Sequence, residues 1–215
     1  MEAWRVNLSL NEVELAAKKA ARGAGYPWGL AEEAAKATRW LCENGLDGCA
    51  ILLSMLKMND GIGNFGRVAE IDKGIWRGVT GKLCPIAAGA SLSDCASCLN
   101  AINIHMENVA QPALLIPFAA IASNRIGADL MIVWSRSTAV TDGAELEFSG
   151  SLDHFAIRAT VTEGGMTGRP IARQTRASPE FDIWESLNSF AERTYAPATD
   201  ESRFRGAGSG DSDND

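Results

Sequence analysis

The 215-residue chain is 46% hydrophobic and 22% charged with a formal net charge of -7, enough apolar surface for a core and the wrong sign for gripping phosphate backbones or anionic lipid. Its oiliest run, Ala113 to Ala122, is about half the roughly 20 residues a membrane-spanning helix needs and is interrupted by Pro117, so it reads as core. Met1-Glu2-Ala3-Trp4-Arg5 has an early acid and no apolar stretch, which points to a cytoplasmic chain, and the odd count of five cysteines then argues for reduced thiols.

Ser9-Leu10-Asn11-Glu12 has the S-x-x-E form of a capping box, with Leu8 and Val13 at the positions of a hydrophobic staple. A helix is expected from there along a small apolar face of Ala16, Ala17 and Ala20 to a stop at Gly23. After the turn Gly23 to Pro27, a second helix is predicted from Trp28 to Asn44, with Ala31, Ala34, Ala35 and Leu41 near one face, so the two form an αα-hairpin. A third, Asp47 to Met58, carries Ile51, Leu52, Met55 and Leu56 at helical spacing before Asn59-Asp60-Gly61 breaks it.

From Gly61 to Val109 periodicity weakens, with strand-like runs at Ile75 to Val79 and Ala101 to Val109. Pro112 and Pro117 allow either a kinked helix from Pro112 or an extended piece and a helix opening at Pro117; helix through Ser123 is expected. Leu130 to Trp134 reads as a buried strand, Asp142-Gly143 as a turn, and Ala144 to Phe148 as a further strand. In His154 to Thr162, Phe155, Ile157, Ala159 and Val161 alternate with polar residues, the period of a half-buried antiparallel strand. Ser178-Pro179 supplies an N-cap and first-turn proline for a helix over 179–193 whose apolar face is Phe181, Trp184, Leu187, Phe190 and Ala191. The prediction is a single α+β domain over 1–215: a helical part over 9–58, a mixed, mainly antiparallel part over 61–176, the C-terminal helix, and a Gly/Asp tail over 205–215.

Cys84, Cys95-Ala96-Ser97-Cys98 and His105 contain one C-x-x-C and enough donors for a tetrahedral zinc. Intracellular cysteines are as readily small buried hydrophobes, and no metal site is assigned. A redox reading of the same motif requires a helix opening at Ser91-Leu92-Ser93-Asp94, so that Cys95 sits at its N-terminus. In the second helix, Glu32, Glu33, Lys36 and Arg39 have the spacing of a salt-bridged surface. The functional alternative makes Glu33 a general base, with Arg39 binding an anionic substrate and Trp28 walling the pocket. Arg169 to Arg176 holds three arginines without an aromatic residue and reads as a solvated loop.

The tail reads in two ways. Gly206 to Gly210 and the terminal aspartates make a solvated linker; alternatively Gly206 and Gly208 let backbone N–H groups converge on an anion beside Arg203 and Arg205. Arg205-Gly206-Ala207-Gly208 repeats Arg22-Gly23-Ala24-Gly25, which places Arg22 in the same candidate set. Asp211 to Asp215 imitates the start of an EF-hand loop but ends before its glycine and distal glutamate.

Leu10-Asn11-Glu12, Ala21 to Gly25, Trp28 to Ala34, Arg39-Trp40-Leu41 and Thr194 to Asp215 together resemble an uncharacterised bacterial family catalogued as a domain of unknown function, number three-seven-two-six in that series. The resemblance implies an intracellular bacterial protein of about this size and transfers no catalytic role. No phosphate-loop, dinucleotide, zinc-protease or nucleophile-elbow motif occurs, and no cofactor is assigned. Two functions stay open: an enzyme of lyase or hydrolase type acting on a small carboxylate- or amine-bearing metabolite, or a non-catalytic accessory or ligand-binding protein whose tail docks into a partner or a second copy. The partner named is a small anionic or zwitterionic metabolite, with a homo-oligomer left open and nucleic acid and membrane excluded.

Overall fold

Ser9 caps the first helix as its pattern demands: the Glu12 N–H donates to Ser9 Oγ at 3.2 Å and the Ser9 N–H donates to Glu12 Oε2 at 2.7 Å. The computed structural model describes residues 4–61, 68–72, 74–79, 81–98 and 103–195, and in it the capped helix α1 (Leu10–Gly23) is followed by α2 (Trp28–Glu43) and α3 (Gly48–Asn59). Val13, Ala17, Ala20 and Ala21 of α1 and Ala31, Ala34 and Ala35 of α2 are buried; side chains this short let two helices pack closely enough to exclude water along their length. Asp47 caps α3 by accepting from the Ala50 N–H at 3.0 Å.

α6 (Phe181–Glu192) packs on the other side of α1. It begins two residues later than Ser178-Pro179 predicts, with Glu180 as its N-cap. The reason is long-range: Val6 N–H donates to the Pro179 carbonyl and Phe181 N–H to the Trp4 carbonyl, so the backbone before the helix is used in extended pairing. This pairing continues as β1 (Leu8–Ser9) antiparallel to β9 (Arg176–Ala177).

The rest is a seven-stranded sheet in the order β2-β3-β4-β8-β5-β6-β7, formed by β2 (Val68–Asp72), β3 (Ile75–Gly78), β4 (Asn103–Ala110), β5 (Leu130–Trp134), β6 (Ser137–Thr141), β7 (Leu146–Ser149) and β8 (Phe155–Glu163). Every neighbouring pair is antiparallel except β3 with β4. The predicted α+β class and the mainly antiparallel second half are therefore what the chain adopts. α5 (Ile116–Ile126) packs on β5 and β6, and α4 (Pro85–Cys95) on α5 and α2. The buried apolar residues form one connected cluster that spans the helices and the inner sheet face. Among the described residues no helix is long and apolar enough to cross a membrane.

Several elements differ from expectation for identifiable reasons. α4 was not predicted; it is buried through Ile86, Ala88, Gly89 and Leu92, so no polar face marks its period. Cys95 is its last residue, which removes the helix N-terminus that the redox reading of Cys95 and Cys98 requires. Between the two proline alternatives the chain combines a 3₁₀ turn at Pro112–Leu115 with a helix that has Pro117 in its first turn and runs past Ser123 to Ile126, closing at Gly127 with φ 68°. β6 was also missed, and the strand placed at Ala144 to Phe148 is β7. The alternation predicted for β8 holds for Ala159 and Val161 but not for its start: Ala156 is buried while Phe155 and Ile157 are exposed. Asn108 in the paired strand has φ 55°, and the inward-facing phase changes across it.

At Gly23 α1 and α6 approach closely: a Cβ there would lie 1.7 Å from the Phe190 carbonyl oxygen, whereas one on Gly29 would meet nothing within 4 Å. Gly23→Ala is expected to lower stability by about 1–3 kcal/mol through overpacking, and Gly29→Ala to change it by at most about 1 kcal/mol. Urea unfolding followed by far-UV circular dichroism checks both; equal effects would contradict the close approach.

Candidate functional site

On α1, Leu15, Lys18, Lys19 and Arg22 fall at i, i+3, i+4 and i+7 and share one face. With Trp28 from the start of α2 and Arg193 and Thr194 from the end of α6, they line a cavity of about 430 Å³. The α1–α2 turn is fixed from below by Tyr26, which is fully buried; its hydroxyl accepts from Asn59 Nδ2 at 2.8 Å and lies 3.7 Å from Cys84 Sγ. Burial pushes the Tyr26 phenol up and holds it neutral. Arg22 donates to the Tyr26 carbonyl and lays its guanidinium over the Trp28 ring at 4.5 Å, a cation–π contact that orients both groups. Trp28 remains 63% exposed and Leu15 58% exposed, an apolar surface rimmed by positive charge.

The four cations are not equivalent. Arg193 makes a two-pronged bond to Asp60, at 2.6 and 3.1 Å, and Lys18 pairs with Glu32 at 2.6 Å. Those bonds hold both carboxyls below their ordinary range. Lys19 contacts the Tyr195 hydroxyl at 3.3 Å and its ring at 5.3 Å. Among the described residues neither Lys19 nor Arg22 has a carboxylate partner, so the cavity carries a local surplus of positive charge on a chain whose net charge is -7.

Arg22 and Trp28, both predicted as binding residues, thus come together. Glu33 lies elsewhere: it lines a second cavity of about 520 Å³ with Lys36, Asp94 and Arg125. There it pairs with Lys36 at 2.8 Å, and this hydrogen bond raises the Lys36 pKa. Arg39 lies in neither cavity; it donates to Glu14 at 2.9 Å and to Asn11, tying α2 to α1. Trp40 packs against the core beside Pro117 and Phe118. Arg203, Arg205, Gly206 and Gly208 lie outside the described residues. Cys84 is buried against Tyr26, and His105 Nδ1 is 3.2 Å from Thr160 Oγ1; among the described residues no three metal-ligating side chains converge.

Lys18, Lys19 and Arg193 were not singled out from the sequence. The i, i+3, i+4, i+7 stripe from Leu15 to Arg22 was a usable signal for the first two. The part played by Arg193 depends on how α6 docks, which no local pattern encodes.

Residues 8–72, which cover β1 through β2, match the family model described as protein of unknown function (DUF3726), in agreement with the resemblance carried by the motifs of α1 and α2. No curated protein matches. Among solved structures the fold is similar to sulfolactate dehydrogenase from Methanocaldococcus jannaschii, with TM-score 0.50 and 10% identity over 63% of this chain and 47% of that one. The chain thus spans about half the length of that protein, and the likeness is one of fold.

Because Arg193 holds Asp60 in its charged form, the Asp60 carboxyl sits below its ordinary value of 3.8 in the folded protein. Its stabilising contribution is therefore present above that value and lost as pH falls through the lower folded one. Denaturant titrations of wild type and Asp60→Asn are expected to show a stability gap at neutral pH that closes in acid; a gap independent of pH would contradict the pairing.

Proposed function

We propose that the protein binds a small carboxylate-bearing metabolite with an apolar portion, as a ligand-binding rather than a catalytic protein. The observation that carries this reading is the pair of cations Lys19 and Arg22, which have no carboxylate partner among the described residues, beside the exposed face of Trp28. A guanidinium held by one carbonyl and one ring still has N–H groups to offer a carboxylate, while Trp28 and Leu15 cover apolar atoms. The described lining contains no histidine, no carboxylate and no thiol, the side chains most often used for general-base work. Glu33, the candidate base of an enzyme reading, is engaged with Lys36 in the other cavity. At 10% identity the dehydrogenase lends the proposal only a scaffold.

Isothermal titration against a panel of aliphatic and aromatic carboxylic acids tests the reading. Arg22→Ala is expected to weaken binding about tenfold, the magnitude of one lost charge-assisted hydrogen bond, with Trp28→Ala weakening it most for ligands with the larger apolar part. A chain ending at Ser202 separates any contribution of Arg203 and Arg205. Affinity unchanged in Arg22→Ala and in a Lys19→Ala, Arg22→Ala double variant would eliminate this cavity as the site.

A further inference from the structure

The contacts of Arg22 with Trp28, Lys18 with Glu32 and Arg39 with Asn11 run in opposite directions along α1 and α2, like the rungs of a ladder. Two of these rungs concern the basic cavity. Arg22 lies over the Trp28 ring at 4.5 Å; one turn back along α1 and one turn on along α2, Lys18 Nζ meets Glu32 Oε1 at 2.6 Å. At 1.5 Å per residue the two rungs stand about 6 Å apart. Lys18 Nζ is also 5.6 Å from the centre of the Trp28 ring, so one aromatic ring lies beside both.

The second rung is a boundary between cavities. Lys18 lines the basic cavity, whereas Glu32 lines the cavity of about 520 Å³ between α2, α4 and α5, and the charge balance changes sign across the pair. The described lining on the Lys18 side has four cations and no carboxylate; on the Glu32 side it has three carboxylates, Glu32, Glu33 and Asp94, against Lys36 and Arg125. Among the described residues the hydrogen bond to the Glu32 side chain uses Oε1 alone. A carboxylate accepts at both oxygens, which leaves Oε2 able to take a further N–H. A Cβ on Gly29, next to Trp28, would meet nothing within 4 Å, so the first turn of α2 is open beside the ring.

We infer that the ligand of the basic cavity is a zwitterion, a straight-chain amino acid with its ammonium at the far end from its carboxylate. This rests on the reading of the basic cavity as a carboxylate site and adds a second contact to it. The carboxylate bonds Lys19 and Arg22, the chain crosses the exposed Trp28 ring, and the ammonium donates to Glu32 Oε2. The ligand dipole then lies antiparallel to the Lys18–Glu32 pair, each of its ends beside a charge of opposite sign, and no ion pair of the protein is broken. A plain carboxylate meets the positive end alone. An amino acid whose two charges sit on neighbouring carbons cannot reach both rungs, whereas a chain that separates them by about 6 Å can. The side chains of Lys18 and Glu32 are 34% and 48% exposed, so solvent screens the added contact and the gain from the amine is modest.

Isothermal titration near neutral pH, where the amine is charged, compares straight-chain carboxylic acids with the same chains bearing a terminal amine, from acetate and glycine up to hexanoate and aminohexanoate. The amine is expected to strengthen binding about threefold to tenfold at aminopentanoate and aminohexanoate and to give no gain at glycine. Glu32→Gln is expected to abolish that gain while plain acids bind as they do to wild type, and Glu33→Gln, which loses only its bond to Lys36, to retain it. A gain that is absent, that is equal at every chain length or that survives Glu32→Gln overturns this inference and leaves the carboxylate site standing. Failure of both series to bind removes both readings. The chain-length series on wild type decides by itself if either variant fails to fold.

Discussion

Helix α1 is held on two sides at once, by α2 and by α6, and both contacts depend on side chains too small to keep the helices apart. Alanine serves along the length of α1 and glycine at its end, where the Phe190 carbonyl approaches to within 1.7 Å of where a Cβ would sit. Helix packing at this separation leaves little room for error, because each added methyl group must displace backbone rather than a mobile side-chain end. Two faces of α1 are thereby committed to neighbours. The long cations Lys18, Lys19 and Arg22 take the remaining face, where their stems cover apolar surface and their charged ends stay in water.

That commitment brings three separate parts of the chain to one place. The end of α1 supplies the cations, the first residue of α2 supplies the exposed ring, and the end of α6 supplies Arg193 already neutralised by Asp60. Among the described residues the cavity has four cations and two outside carboxylates pairing with them, a local reversal of the sign of the whole chain. Low-dielectric walls concentrate such a field, so a small anion near this surface meets attraction where the rest of the protein repels it. Lys19 and Arg22, whose described partners are a hydroxyl, a carbonyl and rings, can accept an anion without first breaking an ion pair.

The helical first quarter was legible because its signals are local: a capping box, a hydrophobic staple, alanines at helical spacing and glycine stops all act within a few residues. Ser178-Pro179 is an equally good local signal, yet the helix starts after it because Trp4 and Val6, far away in sequence, claim the backbone there. β6 reads as Ser-Thr-Ala-Val-Thr and α4 as Pro-Ile-Ala-Ala-Gly-Ala-Ser-Leu, and neither shows a clean period, one being buried at most of its positions and the other lacking a polar face. For the cavity, Arg22 and Trp28 stood out as motif residues, but the reason they meet Arg193 is the Gly23 contact.

α2 carries Trp28 at one end and Cys42 at the other. At 1.5 Å per residue the two lie roughly 21 Å apart along the helix axis, more than twice the screening length of about 8 Å at physiological ionic strength. Charge entering the basic cavity therefore has little direct electrostatic effect at the α2–α3 turn. What the two places share is mechanical: the helix that turns into α3 at one end presents Trp28 at the other. A rigid helix, packed by alanines along α1 and unable to tilt without opening that seam, transmits displacement from end to end far better than it transmits charge. Communication between the α2–α3 turn and the basic cavity would therefore have to run through the position of α2 against α1, the same contact on which the cavity itself depends.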